Sequence, residues 1–359
     1  MKVISVRSPY TLIVNETGQS GARLELFIWN KGTTEPTIPT YNLSKKIPSL
    51  TQIACNFNIS PYCREFINFT YPDQSEGLAE ENNESWCFVK AKEYSLVGKT
   101  ETLISTTTMV AVKGFTNYIN GFNQSDTNDF VPLSSYNKTI YYDRRLLYPY
   151  VNFLFDYNGV DEISVFYYSD TYTGTIPYIF LDNSNISGVY NFKIPITNED
   201  INFENGNYFR IISSADYVIY EGSCKLFCEP VYSPKICKFI NSKGGWEFLT
   251  FFKGQTRTID VQSSSASFFP KQLNYDASQG QTQTFNTNGN EKITMHTGYV
   301  PESYSQSIKE LLLSEKVMLD EFPVKVNTKS IESKTQLKSN NISYEIEFEY
   351  AFDLINNVV

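Results

Sequence analysis

The side chains with the widest chemical repertoire here are one histidine and six cysteines. His296 lies within Lys292-Ile293-Thr294-Met295-His296-Thr297. A histidine can activate a serine or cysteine nucleophile, but no nucleophile-elbow sequence accompanies this one. Its surroundings read as an ordinary strand, so a structural role is expected. A zinc centre needs nitrogen and sulfur ligands at close, regular spacing. Cys224, Cys228 and Cys237 match no familiar spacing and read as core thiols, as do Cys55, Cys63 and Cys87. Cys224 and Cys228 fall on one face of a predicted strand, too far apart to bond each other while it stays extended. Lys243-Gly244-Gly245-Trp246 has the glycines of a turn without the Gly-x-x-x-x-Gly-Lys-Ser/Thr pattern that cradles phosphate. The run from Asn198 to Asn207 (Asn-Glu-Asp-Ile-Asn-Phe-Glu-Asn-Gly-Asn) concentrates oxygen ligands of the kind calcium takes, but it departs from the EF-hand loop and reads as a solvated loop. Paired carboxylates for glycoside hydrolysis are set by space rather than spacing, and nothing singles out a pair. No catalytic, cofactor-binding or metal-binding residue is assigned. The expectation is a non-enzymatic interaction or structural protein.

The elements that would position such residues are mostly strands. The apolar weight sits in 26 Tyr and 26 Phe, with β-branched residues close behind, and these types fit pleated surfaces. At 359 residues, two or three domains are the natural division. Residues 1–116 read as a first β module, with strands at Leu24–Trp29, Trp86–Ala91 and Thr102–Val112 and an Asn30-Lys31-Gly32 turn. Within it Asn58–Ile67 is predicted to open a short helix, with Ser60 as N-cap and Pro61 in the first turn. Residues 117–140 are polar and read as a linker or exposed loop. Residues 141–232 carry short strands at Val151–Phe155, Ile163–Tyr168, Tyr208–Ile212 and Val218–Tyr220, separated by turn residues. That rhythm predicts a sandwich of the immunoglobulin or fibronectin kind.

Residues 233–359 are expected to form a β-rich α+β domain with one amphipathic helix. Pro301 and Glu302 suit its first turn, and Tyr304, Ile308, Leu311 and Leu312 recur on one face. Ser303, Gln306, Lys309 and Glu310 cover the other. Tyr304, Ile308 and Leu312 are expected to pack the helix on its sheet, and Trp246, Phe248, Phe251 and Phe252 to anchor the domain. The closing strand alternates strictly: Ile342, Tyr344, Ile346, Phe348 and Tyr350 face inward, and Glu345, Glu347 and Glu349 face outward. It predicts a chain ordered to its last residues. The fold class is therefore mainly β: two sandwich modules followed by the α+β domain.

The formal net charge of −9 and the lack of a basic block argue against nucleic-acid binding. No window has the apolar length of a membrane span and no signal peptide is visible, so reduced, buried cysteines are expected.

Several runs resemble a family of known proteins. At the N-terminal side they are Arg7-Ser8-Pro9-Tyr10, Leu24-Glu25-Leu26-Phe27-Ile28-Trp29-Asn30, Tyr41-Asn42-Leu43-Ser44-Lys45 and Asn58-Ile59-Ser60-Pro61-Tyr62. At the C-terminal side they are Gly245-Trp246-Glu247-Phe248, Thr297-Gly298-Tyr299-Val300-Pro301-Glu302, Leu311-Leu312-Leu313-Ser314-Glu315 and Tyr344-Glu345-Ile346-Glu347-Phe348-Glu349-Tyr350. Together they resemble tail structural proteins of crAss-like and related tailed bacteriophages infecting Bacteroidota. The likeness covers both ends and leaves the middle unplaced. It implies a virion component of the tail hub or baseplate, assembled in the host cytoplasm as a homo-oligomeric ring that docks other tail proteins. A receptor- or glycan-binding tail fibre, a capsid decoration protein and a polysaccharide depolymerase are the alternatives.

Overall fold

The structure is a computed structural model that describes residues 2–47, 53–68, 78–80, 85–121, 125–126, 130–134, 138–142, 150–157, 163–168, 178–179, 186–193, 207–213, 218–226, 233–269, 273–331 and 341–356. It is mainly β, as the aromatic and β-branched composition predicts. The chain forms two compact units, Met1–Phe227 with Phe239–Leu249, and Cys228–Lys238 with Thr250–Val359. Both 1–116 and 141–227 fall within the first unit, while 228–232 fall within the second.

In the first unit the chain runs β1 (Lys2–Ser5), β2 (Thr11–Val14), β3 (Gly21–Trp29), β4 (Tyr41–Lys46), β5 (Cys55–Asn58), α1 (Ser60–Arg64), β6 (Leu78–Glu80), β7 (Trp86–Val97) and β8 (Thr100–Val112). It continues through β9 (Ser125–Asp126), β10 (Phe130–Pro132), β11 (Lys138–Tyr142), β12 (Tyr150–Tyr157), β13 (Ile163–Tyr168), β14 (Tyr178–Ile179), β15 (Ile186–Lys193), β16 (Asn207–Ser213) and β17 (Val218–Leu226). A six-stranded sheet has the order β4-β3-β7-β8-β1-β9, and β2 pairs with β5 in a small second sheet. Alternation on β7 sorts its side chains between two clusters. Cys87, Val89 and Ala91 join Leu24, Leu26, Met109 and Ala111 under the β2–β5 pair and α1, whereas Trp86 joins Val3, Val110, Val112 and Leu133.

Two local expectations are corrected here. Ser60 does not cap α1; Ile59 holds the N-cap position without a side-chain bond. The Ser60 hydroxyl instead accepts from Tyr10 N at 2.8 Å and donates to Ser8 O at 2.7 Å, clamping the approach to β2. Residues 117–140 are not a free linker. They contribute β9 to the sheet of β1, β10 to a sheet ordered β10-β12-β15-β6, and β11 to one ordered β11-β17-β16-β13-β14. A polar sequence carries strands there because the ladder bonds are backbone groups. Leu133 and Ser134 are buried. Cys224 lies in β17, while Cys228 and 198–206 lie outside the described residues.

The turn after β18 (Lys235–Ile240) is closed by Asn241, which is wholly buried. Its Oδ1 accepts from Lys243 N at 3.0 Å and Gly245 N at 3.1 Å, and its Nδ2 donates to Leu133 O at 2.6 Å and Glu247 Oε2 at 2.8 Å. Gly244 holds a φ of 88°, and a Cβ there would stand 2.8 Å from Gly114 N. The glycines of 243–246 therefore serve a buried turn. Trp246, at the start of β19 (Trp246–Phe251), belongs to the first unit rather than anchoring the second, and so does the half-buried Phe248.

The second unit adds β20 (Gln255–Ser267), β21 (Thr282–Pro301), α2 (Tyr304–Leu313), β22 (Val317–Leu319), β23 (Phe322–Val326) and β24 (Asn341–Tyr350). Its sheet has the order β19-β18-β22-β23-β24-β21-β20. β24 buries Tyr344, Ile346, Phe348 and Tyr350, as its alternation predicts, and Phe251 meets Phe348 edge-on with centroids 5.5 Å apart. The strand stops at Tyr350, and Ala351–Asn356 follow as exposed chain rather than core. Pro301 ends β21 opposite Asn341, so α2 starts later than the proline signal implies. The helix buries Tyr304, Ser307, Ile308, Glu310 and Leu311. Leu312, expected in the packing face, is half-buried because it stands one residue, about 100°, round from Leu311. Glu310, expected outside, is buried and accepts from Gln306 Nε2 at 2.8 Å.

Leu311→Ala should cost roughly 2–5 kcal/mol in urea unfolding, as buried leucines do, and Leu312→Ala clearly less; equal costs would contradict this rotation of the helix. Asn241→Ala leaves three backbone groups and a buried carboxylate short of a partner, and should cost about 3 kcal/mol or more in the same assay.

Candidate interaction surface

A long hairpin in the second unit stands apart from the packed elements. β20 and β21 pair from Gln255↔Met295 out to Ser267↔Thr282. β24 covers only the Lys292–Pro301 end of β21. Beyond Lys292 the two strands therefore form a ribbon with no third strand among the described residues. The exposure follows: Thr256–Ser265 on β20 and Thr282–Thr287 on β21 are all exposed.

Three features shape this ribbon. Its pairing shifts between Gln262↔Asn288 and Ser264↔Phe285, which places the extra residue on β21, where Asn286 takes a φ of 51°. β20 itself stays regular. At the base, the chain after β24 folds back: Leu354 N donates to Gly289 O at 2.8 Å, and the Asn288 amide bonds both Ile355 N and Ile355 O at 3.0 Å. A Cβ on Gly289 would stand 3.1 Å from Asp260 O, tighter than an ordinary contact with the β20 backbone. At the tip, Phe268 N donates to Gln281 O at 2.8 Å, closing the loop. Asp276 accepts from Ser278 N at 2.9 Å, a backbone bond that holds its carboxyl below the usual range.

The ribbon is apolar at both ends of its free length. Ile259 and Val261 are 57% and 63% exposed and share a strand face with Ile293 and Met295, which are buried. The core face of the sheet thus runs out onto the ribbon uncovered. Phe268, Phe269, Leu273, Tyr275 and Phe285 are exposed at and near the tip, Phe269 to 91% and Leu273 to 100%. The two charges of β20 are matched within the hairpin, Arg257 with Glu291 at 3.3 Å and Asp260 with Lys292. Along β20 this leaves a charge-compensated, partly apolar surface, with no further strand on its edge among the described residues and the Asp276 carboxylate at the tip.

The residues with chemical repertoire lie elsewhere and do not converge. His296 is half-buried on β21 opposite Glu345, beside a bulge at which Thr297 Oγ1 accepts from Tyr344 N at 3.0 Å and Gly298 holds a φ of 73°. Its backbone carbonyl accepts from Lys253 N. The Thr297-Gly298 pair is therefore the chemistry of a strand irregularity. Cys55, Cys63, Cys87 and Cys237 are free, buried thiols, and desolvation pushes Cys63 up to about 12 and Cys87 and Cys237 well above the ordinary range. Among the described residues no group of three or more His, Cys, Asp or Glu is placed to hold a metal ion. The exposed ribbon escaped the sequence reading because its Ser, Thr and Gln residues resemble a loop. The signal that could have found it is the β-branched alternation of Ile259 and Val261.

One buried cation is strained by its setting. Burial lowers Lys238 to about 8, partly offset by Glu321 and Asp320. The unfolded side chain titrates near 10.4, so between those values the unfolded state binds more protons and stability rises with pH from this group. Lys238→Met should raise stability at pH 7, and its advantage over the wild type should shrink by roughly 2–3 kcal/mol between pH 8 and 10.5. A constant advantage across that window, read by urea unfolding, would contradict the burial of a charge there.

No family model matches this chain, and no curated protein matches its sequence. Among the described residues, no helix is long and apolar enough to cross a membrane.

Proposed function

We propose that this chain is a non-enzymatic structural component of a bacteriophage tail, of the hub or baseplate, acting by homo-oligomerisation and by docking other tail proteins. The observation that carries the reading is the ribbon: a thirteen-residue edge strand, exposed from Thr256 to Ser265, beside an apolar tip that the described residues of its own unit leave uncovered. Monomeric proteins blunt such edges or cover them, and exposed apolar patches of this extent mark association surfaces. The tail assignment is supported by the resemblance of the runs at 7–62 and 245–350 to tail structural proteins. Those runs coincide with packing elements, among them β3, α1, α2 and β24.

The finer architecture belongs to the same proposal. In our reading the sheets β10-β12-β15-β6 and β11-β17-β16-β13-β14 are the two layers of an immunoglobulin-like sandwich. The antiparallel pairings of β12 with β15 and of β13, β16 and β17 support it. The parallel pairing of β11 with β17 is an addition to that pattern. Serial β modules give one subunit several separate contact faces, which a closed assembly uses.

Quantitative mass spectrometry of purified particles of the source phage tests the reading. A constant stoichiometry of about six to twelve copies per particle is expected for a tail ring. Absence from the particle would overturn the assignment.

A further inference from the structure

The free edge of β20 also points to a specific partner. We propose that β20 is a self-association edge, along which two copies of this chain pair antiparallel, centred on Val261. The proposal deepens the homo-oligomerisation of that reading, and it can fail while the chain is still found in the particle, so the two failures are distinguishable.

The edge carries neither of the usual guards, since no lysine or proline occurs in Gln255–Ser267. Its regularity is kept because the bulge in the ribbon is taken by β21. A strand pairing with itself about a twofold axis places residue i opposite a residue on the same face, and the register centred on Val261 engages all thirteen residues. Val261 then faces Val261 of the second copy, Ile259 faces Ser263, Asp260 faces Gln262 and Arg257 faces Ser265. No like charges meet. Centring on Asp260 instead would set two carboxylates directly opposite. The Val261 register also gathers Ile259 and Val261 of both copies into one patch of four β-branched side chains, at direct and diagonal cross-strand distances.

Charge favours a second copy over a charged partner. Arg257 and Asp260 are already paired within their own hairpin, which leaves a neutral edge that complements another neutral edge. Ile259 and Val261 are 57% and 63% exposed, and this register brings both against the second copy. The contact is isologous, so copies join in pairs, and a ring built from such pairs contains an even number of subunits.

The test is sedimentation analysis of the full chain and two variants. Wild type is expected to form dimers or larger even assemblies. Val261→Lys sets two ammonium groups opposite each other and should weaken association at least about tenfold. Val261 is 63% exposed, so at concentrations low enough to dissociate the wild type the two melting midpoints should coincide. Val261→Cys should give a disulfide-linked dimer on mild oxidation. A wild-type chain that stays monomeric up to roughly 100 µM, or a Val261→Lys variant that assembles as wild type does, would overturn the proposal. Association lost in Val261→Lys without a cross-link in Val261→Cys would place β20 against a different surface, and would overturn the self-pairing.

Discussion

The turn around Asn241 depends on one buried amide more than on any apolar contact. The main chain between β18 and β19 reverses inside the first unit, where water cannot satisfy the freed backbone groups. A single side chain with two donors and an oxygen can do so, and Asn241 uses all of that capacity on Lys243, Gly245, Leu133 and Glu247. Aspartate would bring a second carboxylate toward Glu247, and leucine would leave the ladder ends orphaned. Gly114 and Gly244 then follow as consequences. The two backbones approach so closely that a Cβ on Gly114 would stand 2.5 Å from Ser242 O. Phe115 N uses that same carbonyl as its acceptor at 2.7 Å.

Strand existence was legible in the sequence wherever alternation was strong. The predicted run at 163–168 coincides with β13, and β24 differs from its prediction by one residue. The reason is that one buried face imposes a period of two on residue types, and composition records it. Neighbours were not legible. Residues 117–140 carry no such period, because their strands are short and join sheets through backbone bonds that any side chain tolerates. Ser60 failed as a predicted cap for a related reason. Its hydroxyl was in demand from Tyr10 and Ser8, 50 and 52 residues away, and no local motif encodes that.

The same limit explains what was missed in the interaction surface. A strand covered on one face and a strand covered on neither differ in topology, not in local sequence. β20 reads as a polar stretch because its ribbon has no core beneath it, and Ile259 and Val261 become meaningful only once Ile293 and Met295 are seen on the same face. The C-terminal helix shows a milder version. Leu311 and Leu312 are chemically interchangeable in a helical pattern, and only the direction of the sheet decides which one is buried.

An unguarded edge is a hazard unless its pairing terminates, and the sheet of the second unit supplies the means. Among the described residues each copy has one long free edge in that sheet, and antiparallel pairing along β20 consumes both at once. The strand at the opposite end, β19, is buried at Trp246, Glu247, Leu249, Thr250 and Phe251, so it offers no comparable template for a third copy. The bulge at Asn286 works in the same direction, since an extra residue on β21 increases local twist and lets the ribbon depart from the flat geometry that favours open-ended stacking. An edge without lysine or proline is then compatible with a defined assembly. Specificity comes from the register, which Asp260 restricts by opposing any pairing that would bring it against its own copy.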